Sequence, residues 1–480
     1  MNDMLDVLII GAGLSGIGAA RHLQKQCPDK RWRIWEARSA IGGTWDIFRY
    51  PGVRSDSDMH TLGYVFKPWR GTQAMADGPS ILSYIREAAT DTGVSQQIDF
   101  QHRVVRADWS SEHACWRVTA QLADGSTRVQ ETRFLYMCGG YYSYAQGHQP
   151  QFEGQGDFKG SLVYPQFWPE GLTYAGKRVV VIGSGATAVT IVPAMAKDAA
   201  HVTMLQRSPS YVVTRPAEEK LGVWLDRFLP FYLGYRFVRW RNILQGIFYF
   251  QLARRKPQFF KNYLIHMVKK ALGREFDVKT HFTPRYAPWD QRVCAVPDGD
   301  LFKHIRQGKV SVVTGLIDRF DTDSIYLQDG RSLTADIVVV ATGLQLNVLA
   351  DVAIHVDGNP FVAGDALAYK GMMLSGLPNL FVAFGYTNAS WTLKADLTAS
   401  YVCRLFKYMD KRGYRFVHPQ HDPVQSTQPF LDFTSGYVQR ASALLPKQGA
   451  ASPWRVHQNY VMDVLALRFA GFEDGVLRFH

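Results

Sequence analysis

The sequence predicts an α/β fold in which two similar parallel-sheet domains share the chain and a helical segment is inserted in the second. Three observations predict it. A short apolar strand runs straight into a glycine-rich turn and a helix at two places, Asp6 to Ala20 and Arg178 to Ala196. Two further apolar runs, Phe134 to Ser143 and Leu333 to Leu344, end in small residues where the chain would pass from one domain to the other. From Leu221 onward, aromatic and aliphatic residues recur at helical intervals between arginines.

With 480 residues and 46% apolar side chains, the chain can bury cores for two or three domains. Cys27, Cys115, Cys138, Cys294 and Cys403 lie far apart, with no Cys-x-x-Cys pair and no metal-type spacing, so no metal site is expected. That usage fits a reduced, cytoplasmic compartment. The N-terminus carries Asp3 and Asp6 and no basic residue before Arg21, which argues against a secretory signal. No uncharged apolar run approaches the roughly 20 residues that span a bilayer. A soluble protein, or one peripheral on the inner face of the membrane, is therefore expected.

In the first turn the pattern is Gly11-x-Gly13-x-x-Gly16, followed by a second strand, RWRIWEA, that ends near Glu36. Gly11 makes the turn, Gly13 lets the backbone approach a pyrophosphate, and Gly16 lets helix and strand pack closely. The helix N-terminus then receives phosphates, and Glu36, about 20 residues on, can accept ribose hydroxyls. These are the features of a Rossmann-like dinucleotide site. The second turn repeats the plan at Gly183, Gly185 and Ala188, but its second strand ends in Gln206-Arg207-Ser208. A carboxylate there would repel a 2′-phosphate, whereas Arg207 beside Ser208 can bind one, so NADPH is expected over NADH. An acid at the first site and a base at the second place FAD first and NADPH second.

Over nearly its whole length the chain resembles the class B flavoprotein monooxygenases of the Baeyer–Villiger type. The likeness is carried by GGTWDIFRYPGVRSDSDMHTLGY (Gly42 to Tyr64), VVIGSGATAV, MLQRSP, PWDQRVCAVPDGDLF (Pro288 to Phe302), AYKGMMLSGLPN and GYTNASWTLKADL. It implies an FAD-binding domain in 1–150 and 341–480, and a linker at 151–175. It also implies an NADPH-binding domain in 176–220 and 286–340, interrupted by a basic helical insertion at 221–285. In such enzymes NADPH reduces FAD, oxygen adds to give a C4a-peroxyflavin, and this converts ketones to esters or lactones or oxygenates sulfur in thioethers and thioamides. The resemblance implies that Gly43, Thr44 and Trp45 contact the flavin, and that Arg292 stabilises the peroxide with Asp56 orienting it. Asp58, on the same short stretch, competes for the Asp56 role. O2 and an apolar ketone or sulfide are the implied reactants, the alternative being an N- or S-hydroxylating flavin monooxygenase without ketone chemistry.

Two positions depart from the family pattern. Many members have lysine before the catalytic arginine, reaching the 2′-phosphate; here it is Gln291. The linker segment matches the family frame at Phe158, Gly160, Trp168 and Pro169, but Tyr164 stands where histidine is usual. Tyrosine keeps an aromatic body and one hydroxyl but carries no charge at neutral pH. It preserves the function if the histidine acts by shape and hydrogen bonding, and impairs coupling if the histidine acts as a charge switch.

The net charge of +12 is concentrated: from Leu221 to Glu275 eleven Lys and Arg face only Asp226 and Glu275, a local excess of +9. The segment reads either as a helical roof over the substrate cavity or as a surface that docks on anionic lipid, and the two are compatible. Its aromatics are too interleaved with aliphatics for a base-stacking platform, and no nucleic-acid partner is expected. Oligomeric state is left open by the sequence.

Overall fold

A computed structural model describes residues 4–145, 147–421 and 426–480. The run LDVLII becomes the strand Leu5–Ile10, whose inner residues are buried on both faces, as a central parallel strand requires. It is the middle one of five parallel strands in the order Ile98–Asp99, Trp32–Trp35, Leu5–Ile10, Thr127–Met137 and Leu380–Val382. Thr127–Met137 joins the parallel strands to an antiparallel part of the same sheet. Its later residues pair with Leu5–Ile10, while its earlier ones run antiparallel to Cys115–Gln121, which pairs in turn with Arg103–Ser110.

The second domain repeats this plan. Its parallel sheet runs Val310–Thr314, His201–Gln206, Arg178–Ile182, Ile337–Val340 and Ser161–Val163. An antiparallel meander, Ile317–Phe320, Ser324–Leu327 and Ser332–Thr334, lies beside it. Ser161–Val163 falls within 151–175, which the sequence reading treats as a linker. The structure makes it the edge strand of the second sheet, paired with Ile337–Val339. Gly160 permits that pairing, because a Cβ there would lie 2.5 Å from the Asp336 carbonyl oxygen.

Helices Lys220–Leu225, Phe231–Arg255, Pro257–Leu272 and Val278–Phe282 form the insertion. Pro257 at the first position of its helix and the Asp277 side chain, accepting from Thr280 N, set two of the boundaries. Pro257–Leu272 packs Val268 and Leu272 into the core of the second domain. Phe231–Arg255 instead crosses to the first domain, where buried Arg239 donates to the carbonyls of His60 (2.6 Å) and Gly63 (2.8 Å). Those carbonyls close the short helix Met59–Leu62, so the cation satisfies acceptors that the helix leaves open. Among the described residues, no helix is long and apolar enough to cross a membrane, and no cluster of His, Cys, Asp or Glu could hold a metal ion.

The two domains meet where the segment after Phe48 lies on helix Ala186–Met195. Gly52 has φ +76°, and a Cβ on it would stand 2.6 Å from Ala194 Cβ and 2.9 Å from Thr190 O. Arg54 pairs with Asp300 at 2.7 Å and also donates to Val189 O. Gly52→Ala should therefore cost about 1–3 kcal/mol in denaturant unfolding. Gly176→Ala, at a positive φ with no neighbour within 4 Å, should cost no more than about 1 kcal/mol. Equal losses would show that Gly52 responds to backbone strain alone.

Candidate functional site

The first glycine turn is fixed by contacts that exclude side chains. Gly11 has φ +104°, and a Cβ on Gly16 would lie 1.9 Å from Gly11 O, so the helix start sits directly on the strand end. Gly13 differs: its nearest neighbours are backbone atoms of Gly43, the closest at 3.6 Å, which leaves room above the turn. Gly13 is also the N-cap of helix Leu14–Gln26 and offers no capping side chain, so the first N–H groups of the helix are left for a ligand. Glu36 is buried at the end of the second strand, its oxygens accepting from Ala12 N (2.6 Å) and Arg38 N (2.9 Å). Burial raises its pKa, opposed by those two donors and the Arg38 charge.

The second turn has the same mechanics. A Cβ on Gly183 would lie 2.4 Å from Ala341 O, while nothing lies within 4 Å of one on Gly185. Gly185 caps helix Ala186–Met195 without a side-chain bond, and Ala188 is buried in the helix–sheet contact. Both turns thus leave open the position where a pyrophosphate would approach, and the residues present fit dinucleotides at both.

Between the domains lies a cavity of about 570 Å³, within the range of ligand pockets. Gly11, Gly13, Glu36, Gly43, Thr44 and Trp45 line one side, and Asp56 and Arg292 line it with Thr187 of the second domain. Gly43 has φ +54°, and Thr44 Oγ1 lies 3.2 Å from Tyr144 OH.

Arg292 follows a tight turn in which Trp289 takes φ +72°. The turn is clamped by Asp290, which pairs with Arg254 at 3.0 Å, accepts from Ala287 N at 3.1 Å, and receives Thr434 N at its carbonyl at 2.8 Å. The guanidinium stands 3.6 Å from Asp56 Oδ2, and that oxygen makes no hydrogen bond among the described residues. Enclosure works against the charge of Arg292. The Asp56 carboxylate, with the hydroxyls of Tyr141, Tyr142 and Tyr437 around it, outweighs this and holds its pKa above the ordinary arginine value. Asp58 is engaged elsewhere: it caps helix Met59–Leu62 through Thr61 N (3.0 Å) and accepts from Asn242 at 2.9 Å.

Several wall residues were not singled out by the sequence. Tyr141 and Tyr142 share a hydroxyl contact of 2.9 Å, and Tyr141 stacks on Trp391 with ring centres 5.1 Å apart. Burial, followed by the Asp56 charge, pushes the Tyr50 hydroxyl up to about 12. Behind the wall, Tyr386 OH donates to Asp463 at 2.5 Å, and Asp463 pairs with buried Lys394 at 2.8 Å.

Arg207 and Ser208 are exposed outside this cavity, at the end of strand His201–Gln206. Arg440, on helix Gly436–Ala441, approaches Arg207 closely enough to lower its own pKa, after the larger effect of burial. Neither arginine has a carboxylate partner among the described residues. The only trace of Arg440 in the sequence is a lone cation far down the chain.

The segment around Tyr164 lies between the second sheet and the first domain. Phe158 packs edge-on against Phe320 at 5.9 Å, and the Tyr164 ring lies against the same apolar cluster, which includes Val180 and Leu205. Trp168 packs toward the opposite face of the second sheet, and with Pro169 borders a groove shared with Arg38 and Asp46. Gln166, buried, donates to Ser143 O at 2.7 Å and links the segment to the exit of the first domain.

A model of the flavin-binding monooxygenase-like family matches residues 74–373, and one of NAD(P)-binding Rossmann-like domains matches residues 9–70. The FAD-containing monooxygenase EthA of Mycobacterium tuberculosis is 48% identical over 483 residues, covering 100% of this chain and 98% of that protein. Among solved structures, an oxidised steroid monooxygenase bound to NADP aligns with TM-score 0.77 at 22% identity, over 99% of both chains. An ε-caprolactone-bound cyclohexanone monooxygenase aligns with TM-score 0.77 at 19% identity, over 99% of this chain and 100% of that one. At those identities the structural likeness is one of fold, two dinucleotide-binding domains of α/β type. The family match over most of the chain and the full-length relative make the chain a member of the flavin-binding monooxygenase family.

Proposed function

We propose that the chain is an NADPH- and O2-dependent flavin monooxygenase that converts apolar ketones to esters or lactones and oxygenates thioethers. The observation that carries this reading is the Asp56–Arg292 pair, 3.6 Å apart, in a cavity that continues the first nucleotide turn. FAD would lie over the turn at Gly11 and Gly13, which Gly16 lets pack closely, with Glu36 accepting from its ribose and Gly43, Thr44 and Trp45 enclosing it. NADPH would lie over the turn at Gly183 and Gly185, with Ala188 buried beneath it in the helix–sheet contact. Bound FAD, reduced by NADPH, supplies the activation of oxygen.

Arg292 then contributes a fixed positive charge. A guanidinium keeps its proton at working pH, and the facing Asp56 carboxylate favours the charge further, so Arg292 stabilises a developing anion without quenching it as a nucleophile. Asp56 holds the guanidinium from one side, and Tyr141 and Tyr142 crowd another. The curated relative's description as FAD-containing, the NADP of one fold neighbour and the lactone of another support the reading.

At the second turn, Arg207 and Arg440 would hold the 2′-phosphate between them. Two unpaired guanidiniums from different domains form a site for a dianion, and this offsets Gln291 where relatives carry lysine. Tyr164 acts by shape, its ring filling part of the cluster around Phe158 and Phe320. Tyr164→Phe should therefore leave the ratio of product to peroxide unchanged; a fall in that ratio would assign the hydroxyl a role in coupling.

Arg292→Ala should keep NADPH oxidation but lower ester formation from 2-decanone about 100-fold or more. Ester formation at the parental rate would remove Arg292 from the reaction, and selective loss of ketone chemistry with sulfide oxygenation intact would assign it to carbonyl attack alone. Arg207→Ala and Arg440→Ala should each raise KM for NADPH about tenfold, with KM for NADH little changed. Equal effects on both nucleotides would show that neither reads the phosphate. Gly185→Ala should leave the melting temperature unchanged and raise KM for NADPH, because its Cβ meets nothing but the space expected to hold the nucleotide.

A further inference from the structure

We infer that the helical insertion and the C-terminal helices together form one face that seats in the surface of an anionic lipid bilayer. Helix Phe231–Arg255 is apolar on two sides. Tyr235, Val238 and Ile243 point into the protein, while Leu233, Phe237, Trp240, Leu244 and Phe248 form a second stripe that faces out. Phe228, Phe237 and Phe248 are 69%, 57% and 61% exposed. A soluble surface rarely presents so many large apolar side chains together.

The stripe does not end with the insertion. Trp240 packs on Tyr460 with ring centres 5.8 Å apart, and beyond Tyr460 the C-terminal turns present Leu465 and Phe469, the latter 71% exposed. Residues far apart in the sequence thus contribute to one apolar face. Trp224, Tyr232 and Tyr249 add rings of the kind that settle at headgroup depth.

Charge selects the occupant. Arg227, Arg236, Arg255, Lys256, Lys269 and Lys270 are exposed on or between the helices of the insertion, and none has an ion pair or side-chain hydrogen bond among the described residues. Other cations of the segment have partners: Arg239 is buried on backbone carbonyls, Arg241 pairs with Glu219, and Arg254, at the surface, pairs with Asp290 and Asp432. An apolar stripe whose own helix carries the unneutralised Arg236 and Arg255, within a basic insertion, matches anionic headgroups above acyl chains. No helix among the described residues can cross a bilayer, so the contact is in-plane.

The position carries a consequence that rests on the proposed function. Ile243, on the inner side of the docking helix, packs with Tyr386 and Leu393, and Tyr386 lines the cavity. An apolar substrate dissolved in the bilayer would be separated from the cavity wall by one helix.

The docking itself needs no turnover to be tested. Full-length, FAD-loaded protein is sedimented with vesicles of phosphatidylglycerol and phosphatidylcholine, or of phosphatidylcholine alone. Binding is expected to the anionic vesicles, to weaken with salt, and to be much weaker on the neutral ones. A Phe228→Glu/Phe237→Glu/Phe248→Glu variant should bind about tenfold less or worse. Leu465→Glu/Phe469→Glu should also bind less, and both should keep the parental melting temperature and NADPH oxidation rate. The proposal fails if the parent protein ignores anionic vesicles, or if either set of glutamates leaves binding unchanged. It also fails if light scattering shows an oligomer that the glutamates dissociate while vesicle binding is absent, which would make the face a contact between copies of the chain.

Discussion

The pairing of Asp56 with Arg292 joins the first part of the chain to the second domain, and much of the architecture serves to keep the two in register. An arginine facing a cavity has ample conformational freedom, and its charge is useful only at one place. Here the place is set from both sides. Gly52 lets the Asp56 segment lie against helix Ala186–Met195, Arg54 anchors it to Asp300, and the turn before Arg292 is held by Arg254 and Thr434. None of these residues need touch a substrate. Their effect is to hold a carboxylate and a guanidinium within interaction range without full neutralisation by a short hydrogen bond.

The repeated domain plan explains why such bridging is available. Each parallel sheet takes its fifth strand from outside its own central strand–helix–strand unit: Leu380–Val382 returns late to the first sheet, and Ser161–Val163 enters the second early. The crossings between domains therefore run beside the strand ends where ligands bind in α/β folds. The insertion adds a third tie, because buried Arg239 fastens its long helix to the carbonyls around Met59–Leu62. The residues near Asp56 are thus held from the cavity side and from the insertion.

Both glycine turns were legible in the sequence, for a physical reason. A Cβ on Gly16 or Gly183 would collide with backbone, so no other residue fits and the pattern is visible in a single chain. Arg292 and Asp56 became legible through a family resemblance; spacing alone would not have joined two residues so distant in sequence. The strand Ser161–Val163 was missed because three residues are too few to show a period. Arg440 was missed because an exposed arginine on a short helix resembles any solvated charge until its neighbour Arg207 is seen. The tyrosine pair Tyr141–Tyr142 was quoted as part of a domain exit, and only the fold turns it toward Arg292.

The reaction assigned to this cavity is tested most directly by the balance of NADPH consumed against product formed by the FAD-loaded parent protein supplied with 2-decanone. The account predicts ester in nearly equal amount to the NADPH oxidised, with little hydrogen peroxide. NADPH oxidation that yields peroxide and no ester from any apolar ketone, while a methyl aryl sulfide is oxygenated efficiently, would contradict it and leave a sulfur-oxygenating flavin enzyme in its place.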